Sequence, residues 1–148
     1  MTHPRNEFGL RLLFTSRLWR READAAVRRY GLSEATVLPI LQLSRMGDGT
    51  RQNALAARLG IEGPSLVPQL DALEKAGYLT RRPDPADRRA KALYLTAQGK
   101  VLLKKIDPIL DEIRQALLAE VSDAELATCF SVLEKIEAAA AKRRPLQA

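Results

Sequence analysis

Basic side chains crowd one short segment of this 148-residue chain. Between positions 81 and 91 the sequence places Arg81, Arg82, Arg88, Arg89 and Lys91. Guanidinium and ammonium groups are the donors that bind phosphate oxygens, and arginine also enters the narrow minor groove of DNA. The segment therefore indicates binding of a polyanion such as duplex DNA, although an ordinary solvated basic surface would have the same composition.

The charge of the whole chain points the same way. The net charge is +6, and it divides into +3 over residues 1–50, +6 over residues 51–105 and −3 over residues 106–148. A basic middle beside an acidic C-terminal third favours a nucleic-acid surface in the middle of the chain.

No group of residues indicates catalysis, a metal site or a cofactor. His3 is the only histidine and Cys129 the only cysteine, so no internal disulfide can form. We find no metal-ligand spacing, no catalytic nucleophile motif and no glycine-rich nucleotide loop. We predict that the protein is not an enzyme, with a small enzyme using a pocket under Trp19 as the weaker alternative. The lone thiol, and the lack of a signal peptide or a membrane-length apolar run, predict a cytoplasmic, nucleoid-associated protein without membrane contact.

Hydrophobic periodicity predicts the elements that position the basic residues. Apolar residues recur at helical spacing over residues 8–30, 34–45, 52–59 and 64–76, and again after Thr96 and Ser122. Two short alternating segments, 78–82 and 90–95, predict strands joined by a polar turn. Ser33, Thr96 and Ser122 are the expected helix caps. The expected fold is mainly α with a small β-hairpin that has a charged tip.

The central segment has the pattern of a helix-turn-helix motif. The run Leu55-Ala56-Ala57-Arg58-Leu59-Gly60-Ile61 precedes the predicted helix 64–76. The small Ala56 permits the helices to cross closely, Gly60 permits a tight turn, and Ile61 fills the space between them. An αα-hairpin with no DNA role has similar spacing, but the adjoining basic hairpin favours DNA binding.

Three segments make the chain similar to the MarR family of transcriptional regulators. They are residues 55–61, residues 70–79, and residues 81–91 with their Asp-Arg-Arg, continued by residues 95–99. The run from Ile61 to Val67 resembles the SlyA branch in particular. The resemblance implies a winged helix-turn-helix with N- and C-terminal dimerisation helices. The chain would then be one domain, 1–148, with a DNA-binding lobe at 34–95 and dimerisation helices at 6–30 and 100–143.

The same resemblance implies which residues meet DNA. The helix that starts near Pro64 would enter the major groove, and the hairpin would be a wing that reaches the backbone or the minor groove. The expected DNA-binding residues are Gln52, Pro64, Ser65, Val67, Pro68, Gln69, Arg81, Arg82, Asp87, Arg88, Arg89 and Lys91. Asp87 would either hold one wing arginine in position or serve as a plain turn aspartate.

Pro68 departs from the SlyA-type pattern, which usually has arginine at this position. Proline has no side-chain donor for a base edge, so we hypothesise an altered operator preference. Its effect on the helix depends on where the helix begins. If Ser65 is the N-cap, Pro68 is the third helical residue and removes no hydrogen bond, whereas in a helix that starts at Pro64 it removes one.

Apolar faces at the two ends of the chain predict a homodimer. The expected interface residues are Phe8, Leu12, Leu126, Phe130, Leu133 and Ile136. In the family the end helices interlock, and two copies about 34–36 Å apart would read a palindrome. Packing of these faces within one chain is the alternative. Cys129, on the same apolar helix face, is expected to be a buried structural thiol.

Many MarR-like proteins bind small aromatic anions between the dimerisation helices and the DNA lobe. The candidate pocket residues here are Phe14, Arg17, Trp19 and Pro39, although an aromatic stripe of this kind is also typical of plain core. The expected function is a sequence-specific regulator of double-stranded DNA, a repressor relieved by a small aromatic carboxylate or phenol. The alternative is an architectural DNA-binding protein of low specificity.

Overall fold

The fold is mostly helical with a small antiparallel sheet, which confirms the expected fold class. The computed structural model describes residues 3–143. The elements are α1 (Pro4–Val27), α2 (Glu34–Met46), β1 (Thr50–Arg51), α3 (Gln52–Leu59), α4 (Gly63–Lys75), β2 (Leu79–Pro83), β3 (Lys91–Leu95), α5 (Ala97–Leu117) and α6 (Asp123–Arg143). A short 3-10 turn, Arg28–Tyr30, follows α1.

The sheet contains one strand that the sequence did not predict. β1 pairs antiparallel with β3 at Thr50↔Leu93 and Arg51↔Ala92, and β3 pairs with β2, so the strand order is β1-β3-β2. The turn before β1 is fixed to β3 as well, because Asp48 Oδ1 accepts a hydrogen bond from the Leu95 N–H at 3.0 Å. The wing is therefore attached to the end of α2 through this short segment.

The three predicted helix caps are present. The Ser33 N–H donates to Thr36 Oγ1 at 3.0 Å at the start of α2. The Gly99 N–H donates to Thr96 Oγ1 at 3.0 Å at the start of α5. At the start of α6, Ser122 and Glu125 form the reciprocal capping box that their spacing predicts. These local bonds satisfy amide groups that have no partner inside a helix.

One buried core supports the helix pair and the hairpin. Its fully buried side chains come from α1, α2, α3, α4, the sheet and α5, and include Val27, Leu43, Leu55, Leu66, Leu70, Leu93 and Ile106. The hairpin and α5 approach so closely that a Cβ added at Gly99 would lie 2.1 Å from the Tyr78 carbonyl oxygen. The base of the hairpin is therefore held rigidly by packed neighbours.

The contacts within the chain divide it into two units, Met1–Ile113 and Arg114–Ala148. The second unit contains α6, and none of the residues of that helix is buried. The expectation of a buried thiol was wrong, because Cys129 is exposed. Within residues 3–143 no helix has the length and apolar character that a membrane span requires.

Candidate nucleic-acid interface

Helices α3 and α4 form the helix-turn-helix pair. Gly60 ends α3 with a φ of 68°, a left-handed conformation that side-chain-bearing residues rarely adopt. Leu55 and Ala56 of α3 and Leu66 of α4 are buried, and Ile61 packs against them. The short turn and this shared core fix how α4 is presented to solvent.

The outer face of α4 carries the residues predicted to contact bases. Pro64, Ser65 and Pro68 are exposed, and Val67 and Gln69 are partly exposed. Small, polar and apolar groups therefore meet solvent on the side away from the core. This surface has room for a base edge, and it offers few donors of its own.

The start of α4 decides between the two alternatives for Pro68. Glu62 is the N-cap and Gly63 the first helical residue, with Pro64 in the first turn. Pro68 therefore lies inside the helix, where it cannot donate to the Pro64 carbonyl. The alternative in which Ser65 caps the helix and Pro68 costs no bond was wrong.

The tip of the wing is organised by an aspartate that the sequence did not single out. Asp84 is buried, and its Oδ1 accepts the Ala86 N–H at 2.8 Å and the Asp87 N–H at 3.2 Å. Its Oδ2 accepts from Arg51 Nε at 3.1 Å. The backbone donor at Ala86, followed by Arg51, lowers the pKa of Asp84. One carboxylate thus shapes the turn and ties it to β1.

Asp87 has the contact of a turn aspartate. Its Oδ1 accepts the Arg89 N–H at 3.0 Å. In the part of the chain that the structure describes, no basic side chain lies within 4 Å of its carboxylate. Of the two roles open to Asp87, this geometry favours the turn.

Arg81, at the base of the wing, is held by two acidic side chains of α4. Its Nη2 lies 2.5 Å from Asp71 Oδ1 and 3.0 Å from Glu74 Oε1. The backbone N–H of Arg81 donates to Glu74 Oε2 at 2.9 Å. The side chain is only 19% exposed. The hydrogen bond between the two side chains lowers the pKa of Glu74 and raises that of Arg81. Arg81 therefore joins the wing to α4.

The remaining wing cations face solvent. Arg88, Arg89 and Lys91 are exposed, and among residues 3–143 no carboxylate lies within 4 Å of them. Arg82 is exposed too, with its guanidinium 4.8 Å from the centre of the Tyr94 ring. Gln52, the first residue of α3, is partly buried, and its amide oxygen has no described partner. The four cations, without Gln52, form the basic part of this surface.

The residues predicted for the ligand pocket do not line the cleft that the structure shows between α2 and α5. Phe14 and Arg17 are exposed on α1, Trp19 is partly exposed, and Pro39 is buried in α2. The cleft has a volume of about 710 Å³. Its lining is Leu41, Leu43, Ser44, Arg45, Gly47, Asp48, Leu95, Lys100, Leu103, Lys104, Asp107 and Pro108.

The residues predicted for the dimer interface are largely exposed. Phe8 and Leu12 are exposed on α1. On α6, Phe130 is 57% exposed and Ile136 40%, while Leu126 and Leu133 are partly exposed. Each helix therefore presents an apolar surface to solvent in the single chain.

Comparison with known proteins gives consistent matches. A sequence model of the MarR family matches residues 32–91. The structure of the transcriptional regulator PA3341 is 40% identical, with 92% of this chain and 99% of that chain covered and a TM-score of 0.82. Staphylococcus aureus MepR, solved in complex with DNA, is 25% identical, with 89% and 97% covered and a TM-score of 0.80.

A further structure shares the fold at lower identity. CouR from Rhodococcus jostii RHA1, solved with bound p-coumaroyl-CoA, is 21% identical. The alignment covers 92% of this chain and 95% of CouR, and the TM-score is 0.81.

Proposed function

The chain belongs to the MarR family of DNA-binding transcriptional regulators, and on that premise we propose that it is a homodimeric repressor of a palindromic operator. The observation that carries the proposal is the pairing of α4, whose outer face is free of acidic side chains over residues 63–69, with a wing whose tip cations lack carboxylate partners among residues 3–143. Such a surface matches a groove edge flanked by phosphates. We also propose that the protein lies in the cytoplasm, with the chromosome that it would bind.

In this proposal α4 enters the major groove and the wing follows the neighbouring backbone. Ser65 and Gln69 supply hydrogen bonds to bases or phosphates, while Pro64, Val67 and Pro68 supply apolar contacts such as those with thymine methyl groups. Arg88 and Arg89 reach the backbone or the minor groove. Because Pro68 carries no donor, we propose an operator that differs from those of SlyA-type relatives, and membership of that branch remains part of the proposal.

Two copies are needed because one α4 and one wing cover only a half-site. The exposed apolar residues of α1 and α6 supply the surface for a second copy, since faces of this kind in soluble proteins mark interaction sites. An isologous dimer would place the two α4 helices about one helical turn of DNA apart, about 34–36 Å.

The dimer can be tested with one substitution on α6. Phe130→Asp places a charge in the proposed interface, and we expect the mass in solution to fall from that of a dimer to that of a monomer. Affinity for the operator should fall at least tenfold, because half-sites then bind independently. Met46→Asp, on an exposed apolar residue of α2, is the matched control. A dimer that persists in Phe130→Asp would show that Phe130 lies outside the dimer interface.

We propose that an amphipathic anion, such as a small aromatic carboxylate, binds the 710 Å³ cleft and releases the operator. Leu41, Leu95 and Leu103 give the cleft apolar walls, and Arg45 and Lys104 provide cations for a carboxylate. The CoA thioester bound to CouR supports a ligand with both aromatic and anionic parts. Phe14, Arg17, Trp19 and Pro39 stay as a second candidate site.

The effector proposal is tested by release of a labelled operator with a panel of aromatic carboxylates. Lys104→Gln should raise the concentration needed for release, while Lys105→Gln, a neighbouring lysine outside the cleft, should leave it unchanged. Equal effects of the two substitutions, or release that requires Arg17, would move the effector site to α1.

The first experiment is selection of bound sequences from random duplex DNA at near-physiological salt, with the mass of the protein measured in the same sample. Recovery of an inverted repeat by a dimer supports the proposed function. Recovery of no motif, with binding that collapses as salt rises, would favour the architectural alternative. Pro68→Arg in the same selection should change the recovered consensus.

A further inference from the structure

The C-terminal end of α1 is the part of this helix that is fixed to α2. Of residues 4–27 only Ala23 and Val27 are buried, and both belong to the common core. The same stretch provides Arg20 and Asp24, which contact Glu34, the first residue of α2. We call these last three residues the α1–α2 contact. Because two buried side chains give little apolar burial for a helix of 24 residues, polar interactions at this point affect how firmly α1 is held.

Glu34 is a carboxylic acid with little access to water. Its side chain is 16% exposed, and its Oε2 has almost no contact with solvent. Arg20 Nε lies 3.3 Å from Oε2 as an ion pair, outside the geometry of a hydrogen bond, and the Arg20 side chain is 70% exposed. An exposed, solvated cation offsets only a small part of the cost of burying a charge. The ionised form of Glu34 is therefore poorly stabilised.

Asp24 places a second carboxyl group beside Glu34. Its Oδ1 accepts the Glu34 N–H at 2.5 Å, so Asp24 caps the first turn of α2 from a different helix. The same turn has a capping box between Ser33 and Thr36, both of which are uncharged. One carboxylate is favourable at a helix N-terminus, but two carboxylates at the same place repel each other. Among residues 3–143 the charged groups that act on Glu34 are thus Arg20, which attracts it, and Asp24, which repels it.

These surroundings favour the neutral form of Glu34. Burial raises the pKa of Glu34 above its ordinary 4.5, while the charge of Arg20 opposes this change and the charge of Asp24 adds to it. The stability that comes with neutral Glu34 is therefore fully present below pH 4.5, and it is lost as the pH rises through the pKa of the folded state. Acid should strengthen this contact.

We propose that the α1–α2 contact is acid-sensitive, so that Glu34 takes up one proton from solvent in mild acid and α1 is then held more firmly on α2. The proton binds the Glu34 carboxylate, which removes both the repulsion with Asp24 and the cost of the buried charge. The proton uptake does not depend on the proposed function. Its consequence rests on that function, because α1 carries Phe8 and Leu12 of the proposed dimer surface, and a firmer dimer would bind the operator more tightly in mild acid.

The titration of Glu34, followed by carboxyl-carbon NMR of the full chain, is the first test. The midpoint should lie above pH 4.5, should fall in Asp24→Asn and should rise in Arg20→Gln. The two shifts have opposite signs because the two side chains have opposite charges, whereas a carboxyl group that only fills space would respond to neither. A midpoint at or below pH 4.5, or one that neither variant moves, would overturn the proposal.

Hydrogen exchange of the backbone amides of residues 20–27 measures how firmly α1 is held. The reference is Glu34→Gln, which keeps the shape of the side chain and cannot ionise. At pH 7 these amides should exchange several-fold faster in the native chain than in Glu34→Gln, and the difference should vanish as the pH falls toward 4.5. Glu112→Gln, at an exposed acid of α5, is the matched control and should follow the native chain. Equal exchange in the native chain and Glu34→Gln at pH 7 would overturn the proposal, even with a raised midpoint.

Operator binding separates this inference from the proposed function. At pH 7 Glu34→Gln should bind the selected operator more tightly than the native chain, and the ratio of the two affinities should approach one as the pH falls toward 4.5. A ratio that is independent of pH would overturn the consequence for DNA binding. A chain that binds no duplex DNA would overturn the proposed function, and the titration and the exchange rates would still decide whether the α1–α2 contact is acid-sensitive.

Discussion

The base and the tip of the wing both carry arginine, which is paired with carboxylates at the base and exposed to solvent at the tip. At the base, Arg81 is mostly buried between Asp71 and Glu74 of α4. At the tip, Arg88 and Arg89 are exposed, and within residues 3–143 they have no carboxylate within 4 Å. An arginine that is already paired gains little from a phosphate, because the pair must first be broken. The base therefore orients the wing, and the cations of the tip stay available for the proposed contact with DNA.

The largest expected effect is on DNA binding by the tip. Arg88→Gln should weaken operator binding roughly tenfold, since a charge-assisted contact with a phosphate is lost. The free energy of unfolding should stay unchanged, because the Arg88 side chain makes no hydrogen bond or ion pair within residues 3–143. Fluorescence anisotropy with labelled operator and urea unfolding measure the two quantities. A stability loss without a loss of affinity would reverse the roles of tip and base.

Substitution at the base should lower the stability of the fold and leave the salt dependence of DNA binding unchanged. Arg81→Gln should lower the free energy of unfolding by about 1 kcal/mol, because two partly exposed ion pairs are lost together. The salt dependence of DNA binding should keep its slope, since no phosphate contact disappears. Arg81→Lys should recover part of the stability. A slope that falls by about 0.9 would show that Arg81 binds a phosphate after all.

A smaller effect is expected from the turn between base and tip. Asp87→Ala removes the acceptor of the Arg89 N–H and should cost about 0.5 kcal/mol of stability. Operator affinity should fall roughly twofold, as the tip becomes less well ordered. Urea unfolding and anisotropy on one preparation measure both. A tenfold loss of affinity would mean that Asp87 positions an arginine side chain when DNA is bound.

The smallest effect is the pH dependence of the base. Because Arg81 lowers the pKa of Glu74 below its ordinary 4.5, the pair stabilises the fold above pH 4.5, and that stability is lost as pH falls through the pKa of the folded state. The difference in unfolding free energy between the native chain and Arg81→Gln should therefore shrink below pH 4.5. Urea unfolding from pH 3 to pH 7 tests this. A difference that stays constant would rule out Glu74 as the partner that matters.

The sequence was sufficient to predict the helices, the caps and the hairpin, because each depends on periodicity or on residues three or four positions apart. It did not predict β1, which has two residues and so no measurable alternation. It also missed Asp84, whose partner Arg51 is 33 residues away. No local pattern distinguishes Asp84 from Asp87 until β1 and β3 are known to be paired.

The sequence predicted which basic residues belong to the candidate DNA site. It did not predict that Arg81 is paired with carboxylates while Arg88 is not. Asp71 and Glu74 lie on a different element from Arg81, so only the packing of α4 against β2 reveals their contact. The start of α4 at Gly63 was likewise open, because Glu62, Ser65 and Pro64 are all acceptable near a helix N-terminus.

The segment from Gly47 to Asn53 connects two clefts of the first unit. At one end Asp48 lines the larger cleft, lies 3.9 Å from Lys100 Nζ and holds the Leu95 N–H. At the other end Arg51 and Asn53 line a cleft of about 120 Å³ beside the wing, less than about 20 Å away along the chain. If the proposed effector moved Asp48, the displacement would pass along this short segment to β1 and, through the pairing of β1 with β3, to the wing.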